Sequence, residues 1–220
     1  MEGQKLKITD ILFGVGIPLI LVLLIFVLAV YVNPSGQYHV LGAAGTTGTI
    51  AVILSQGFLQ MIVLGVPLVL GLLWNKWAGG AAGFIMGGLY YVAAAGQYNG
   101  LYAASGVTTY NFFGDVSMIF YCVNAIIIGY IAGSLANGST NFKRFIGAGL
   151  TAAIVTAVIQ AYLNYTVSLA PARGMAQGLW ATDLGQAILI NFVPSIALGV
   201  IVPILAKVMT WYGLQPQRHM

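Results

Sequence analysis

Residues 116–167 read VSMIFYCVNAIIIGYIAGSLANGSTNFKRFIGAGLTAAIVTAVIQAYLNYTV, and the only charges in them are the adjacent Lys143 and Arg144. An apolar run of about 20 residues lies on each side of that pair, the length a helix needs to cross a bilayer. The runs are continuous and do not alternate, which excludes the strand pattern of a membrane barrel. The stretch therefore predicts two membrane helices, at about 116–136 and 145–167, joined by a short polar loop.

Outward from this hairpin, four more stretches have span character: about 11–32, 48–74, 78–96 and 183–209. The expected fold is all-α, a six-transmembrane-helix bundle forming a single integral membrane domain over residues 1–220. The first run exceeds the apolar core of a secretory signal, about 7–15 residues, and is expected to be a span. Composition agrees. Charged residues are 5% and hydrophobic residues 60% of the chain, against about 25% charged in a soluble domain. That excludes an ordinary soluble enzyme and a disordered chain. Cys122 is the only cysteine, so no disulfide framework exists within the chain. The net charge of +4 is scattered and forms no sequence-local basic run, so no nucleic-acid partner is expected.

Charge placement orients the bundle. Lys5 and Lys7 precede the first span, and Lys76 lies between the second and third. Lys143 and Arg144 lie between the fourth and fifth, and Lys207 and Arg218 close the chain. An inside N-terminus puts all of these on the cytoplasmic side and leaves Arg173 as the outer cation, as the positive-inside rule prefers. Both termini are therefore expected in the cytoplasm, in a multi-pass protein of the cell membrane. Trp74, Trp77 and Trp211 are expected at the inner interface and Trp180 at the outer one. Arg173 is expected beside Asp115 or Asp183 at the outer rim, where these are the only formal charges. The outer loops, 33–47, 97–115 and 168–182, are long and nearly uncharged. They carry tyrosines and asparagines suited to a lid, and equally to interfacial anchoring.

Rows of small residues recur every fourth position: Gly79, Gly83, Gly87; Ala125, Gly129, Gly133; and Gly149, Ala153, Ala157, Ala161. Such rows let membrane helices approach closely. Packing within the chain is the expected use, and docking of another membrane subunit the alternative. Pro67, Pro194 and Pro203 fall inside spans and each frees a backbone carbonyl.

Several chemistries lack their parts. His39 and His219 lie outside the spans, so a bis-histidine haem is not expected. No cluster of His, Cys, Asp and Glu suits a metal, and no phosphate-binding glycine loop occurs. Neither an enzyme nor a cofactor is expected.

Polar groups inside spans are expensive and point to function. At 1.5 Å per residue, Asn124 lies about 14 Å from the outer end of its span. Gln160 and Asn164 share one helix face, as Asp183, Gln186 and Asn191 roughly do. Together with Tyr91 and Asp115, these groups populate the outer half of the bundle, under a lid containing Tyr98 and Asn99. The ten residues Tyr91, Tyr98, Asn99, Asp115, Asn124, Gln160, Asn164, Asp183, Gln186 and Asn191 are the candidate substrate-binding set. Amides would meet a ligand's hydrogen bonds, tyrosines would stack on its rings, and Asp183 would meet a cationic group. The ligand expected from this lining is a small polar solute, neutral or weakly cationic.

Two segments carry a family resemblance. The run from Phe58 through Leu-Gln-Met-Ile-Val-Leu-Gly-Val-Pro to Trp74-Asn-Lys-Trp and the small residues Ala78–Gly83 is one. Ile126-Ile-Ile-Gly-Tyr-Ile-Ala-Gly followed by Lys143-Arg144 is the other. With six spans and long outer loops, they make the chain resemble the substrate-binding S-component of energy-coupling-factor vitamin transporters. The resemblance implies uptake of a vitamin-like solute together with separate energising membrane subunits. The alternative is an accessory or structural subunit of a larger membrane complex. The partners expected are the lipid bilayer, a small-molecule substrate and other integral membrane subunits.

Overall fold

A computed structural model describes residues 61–104, 112–114, 116–166 and 184–212, together with Gly16 and Ile20. Five helices account for most of them: α1 (Met61–Leu73), α2 (Lys76–Ala104), α3 (Val116–Ala136), α4 (Phe142–Thr166) and α5 (Leu184–Trp211). A 3-10 turn, Phe112–Gly114, precedes α3, and no strand occurs among the described residues. The fold class is all-α, as the continuous apolar runs predict.

Among the described residues, three segments are long and apolar enough to cross a membrane: Ile119–Ala136 in α3, Phe142–Leu163 in α4 and Phe192–Trp211 in α5. They coincide with the fourth, fifth and sixth expected spans. Apart from Gly16 and Ile20, the expected span at 11–32 lies outside the described residues, as does the first half of that at 48–74. The helix expected for the third span is corrected in length. It was expected to end at Gly96, but α2 continues to Ala104. Its later turns carry Gln97, Tyr98, Asn99 and Tyr102, assigned by sequence to a loop. Polarity suggested the loop, yet none of residues 97–104 is a proline, and the hydrogen-bonded helix continues through them.

Local chemistry sets the ends. Asn75 caps α2: its Oδ1 accepts from the backbone N–H of Trp77 and of Ala78, each at 2.9 Å. Asn141 caps α4 in the same way, accepting from Lys143 N at 3.0 Å. Between them α3 stops at Asn137 and Gly138, whose φ angles of 41° and 69° are left-handed.

The glycine rows decide the packing. A Cβ on Gly83 would strike the carbonyl of Ala125, one on Gly71 that of Gly129, and one on Gly129 that of Gly79. α1, α2 and α3 therefore meet backbone to backbone, and the first two small-residue rows face each other within the chain. The third row packs α4 on α5. Gly149 abuts Pro203 and Gly199, and the carbonyl of Gly199, deprived of its helical donor by Pro203, faces Gly149. Leu68 and Leu72 of α1, Ile128 and Ala132 of α3, Phe145 and Ala152 of α4, and Leu198 and Ala206 of α5 share one buried core.

The starts of α2 and α4 and the ends of α1, α3 and α5 meet at one end of the bundle. There Lys207 Nζ donates to Thr140 O at 2.8 Å and Arg144 Nε to Leu135 O at 2.7 Å. Gly133, in the last turn of α3, has no room for a Cβ beside Lys76. Trp77 and Trp211 are exposed near this end. Trp74 is not: it is 7% exposed, which corrects its expected place in an interfacial belt. Trp74 is the first residue of the two-residue turn between α1 and α2.

Candidate functional site

Two of the ten candidate residues meet directly. Asn124 of α3 and Gln160 of α4 are 3% and 6% exposed, and Asn124 Nδ2 donates to Gln160 Oε1 at 2.6 Å. Counting along the helices, Asn124 lies about 12 Å from the start of α3, and Gln160 about 9 Å from the end of α4. Both ends lie away from the lysine-bearing end, so the pair occupies the half of the bundle in which sequence placed it. The bond satisfies one Asn124 donor and one Gln160 acceptor. Asn124 Oδ1 is buried and accepts nothing from the described residues. A buried acceptor without a partner costs about 1–3 kcal/mol, so a donor from a ligand or a water would be favoured there.

One turn before Gln160, Thr156 is also buried, but its hydroxyl donates to Ala152 O at 3.1 Å and Ala153 O at 3.0 Å. It is satisfied within its own helix and adds no free donor.

Tyr91 is half-buried, and its ring meets Phe113 edge to face, with centroids 5.9 Å apart. Tyr90 meets Tyr121 similarly at 5.7 Å. These two pairs bind the middle of α2 to the first two turns of α3 and to the 3-10 turn before it. Phe113 and Tyr121 were missed in the sequence. Their signal was an aromatic pair-up across a helical hairpin, which a single chain read linearly does not display. Tyr98 and Asn99 stand on α2, which corrects their expected place in an outer loop. Asn164 is on α4, and Gln186 and Asn191 are on α5. Asp115, Asp183 and Arg173 lie outside the described residues, and so does the expected ion pair among them. Among the described residues no three His, Cys, Asp or Glu side chains gather, so they assemble no metal site.

Fold and site together define a class: an all-helical protein that has, among the described residues, three helices fit to cross a membrane and an amide pair buried between two of them. No protein-family model, curated protein or solved structure matches the chain.

Proposed function

We propose that this protein is a multi-pass subunit of the cell membrane that captures a small polar organic solute from the outer face and works with a separate energising complex. In this reading it has six spans, and both termini lie on the cytoplasmic side with Lys76, Lys143, Arg144 and Lys207. The observation that carries the reading is the Asn124–Gln160 pair, with its unfilled acceptor. Amides whose only role was to join helices would be expected to satisfy each other. Here one oxygen is left for a donor, and Tyr91 and the amides of α4 and α5 belong to the same half of the bundle. The solute is neutral or weakly cationic, because Arg173 is the only cation that the topology leaves outside.

Mass spectrometry of small molecules released from purified, denatured protein tests the site. A recurrent polar solute is expected from wild type and should be lost from Asn164→Leu and Gln186→Leu variants that remain folded. Release of lipid alone from wild type would favour an accessory subunit of a larger complex. Topology has its own test. In a Cys122→Ser background, single cysteines at Ser105 and Thr140 are expected to react with impermeant reagent from opposite sides, with Thr140→Cys shielded in intact cells. Labelling of both from outside would refute the orientation.

A further inference from the structure

We propose that the lysine-bearing end of the bundle is a docking site for the headgroup of an anionic phospholipid. Cations that are far apart in sequence converge there through the fold. Gly133 brings the last turn of α3 against Lys76, Arg144 bonds back to Leu135, and Lys207 reaches across to Thr140. These contacts hold the cations in place while using only part of their donor capacity. Arg144 is bonded through Nε, and its side chain is exposed, so the donors of its two terminal nitrogens are not used in that bond. Lys207 commits one of its three donors. Lys76 lies over the rings of Trp77 and Tyr130, at 5.5 and 5.7 Å from their centroids. Lys143 is exposed, and the bond it makes to Asn141 uses its backbone N–H and not its amino group.

No carboxylate among the described residues balances this end. The chain has four acidic residues. Asp115 and Asp183 directly precede α3 and α5 in sequence, and the opposite ends of those helices are the ones at the cationic end. Glu2 and Asp10 are matched in their own segment by Lys5 and Lys7. The complement of such an end is an anion, and the surroundings select its source. Trp77 and Trp211 are exposed beside it, 68% and 72%, as indole rings are at the headgroup level of a bilayer. A phosphate attached to acyl chains can occupy both environments at once, whereas a soluble acidic partner would use only the cations. The fork of Arg144 suits the phosphate oxygens, and Lys143 and Lys76 add point charge.

The inference rests on the membrane reading and is independent of the solute. Its test uses delipidated, purified protein in neutral detergent, titrated with phosphatidylglycerol or with phosphatidylcholine and read by native mass spectrometry and by unfolding temperature. Phosphatidylglycerol is expected to bind and stabilise in preference to phosphatidylcholine, less so as salt is raised. Lys143→Gln should weaken phosphatidylglycerol binding about fivefold, and Lys143→Gln combined with Lys76→Gln further, since each cation near an anionic surface is worth about that factor. The bond of Lys143 to Asn141 is made by its backbone, so its variant should unfold as wild type does in phosphatidylcholine. Equal binding of the two lipids by wild type, or undiminished phosphatidylglycerol binding by both variants, would overturn the proposal. Neither result bears on solute release from the Asn124–Gln160 region.

Discussion

Gly83→Ala is expected to destabilise the protein by about 3 kcal/mol, the upper end of the cost of overpacking a core. The added methyl would meet the carbonyl of Ala125 and lie 2.6 Å from the Cα of Ile126. Both obstacles are backbone atoms, so no rotamer change relieves them, and α2 must separate from α3. Separation would also loosen the contacts of Gly79 and Gly87 on the same seam. Alanine is otherwise the better helix former by about 0.5–1 kcal/mol. Gly88→Ala supplies the control, because a Cβ there meets nothing within 4 Å. It should be neutral or slightly stabilising. Unfolding of both variants by denaturing detergent, monitored by helical circular dichroism, gives the comparison. Equal stability of Gly83→Ala and Gly88→Ala would show that the seam is not packed as described.

The second large effect is expected at the amide pair. Gln160→Leu removes the acceptor of Asn124 Nδ2 and leaves that buried donor unmet, at a cost of about 1–3 kcal/mol, whereas Asn124→Leu removes the bond together with the unfilled Oδ1 and should cost less. The double variant removes both groups and should cost less than the sum of the two single changes. Coupling between polar side chains of membrane helices averages about 0.6 kcal/mol and reaches about 1.7. The short bond and near-complete burial place this pair toward the upper value. Single changes that add to within about 0.5 kcal/mol would mean the two amides do not depend on one another. Solute release measured on the same variants separates the roles. A pair that only joins helices would be replaceable by leucines without losing the solute, whereas a ligand-bearing pair would not.

Helix existence was legible wherever apolar runs were long. The runs at 116–136 and 145–167 became α3 and α4 with ends shifted by at most three residues, because about 20 apolar residues bounded by a polar loop admit few alternatives. The end of α2 was not legible. Tyr98, Asn99 and Tyr102 are polar enough for a loop and compatible with a helix, and hydropathy does not separate those cases. Caps were present as letters, Asn75 and Asn141, but an asparagine serves turns as readily as helix starts until the following backbone is known. The candidate site was legible in part. Asn124 and Gln160 were both selected, on the ground that an amide in hydrocarbon needs a partner. Nothing in their spacing showed that they partner each other.

Composition and the length and continuity of the apolar runs were enough to point to a helical membrane-type chain. They were also enough to assign small-residue rows to helix contacts, since both properties follow from one segment and its solvent. Which row met which was another matter. Gly71 joins Gly129, and Gly149 meets Pro203, because α1 and α5 arrive from distant parts of the chain. The burial of Trp74, the convergence of Lys76, Arg144 and Lys207, and the orphaned oxygen of Asn124 have the same origin. Each depends on atoms from two or more helices at a separation of a few ångströms, and linear order carries no such distance.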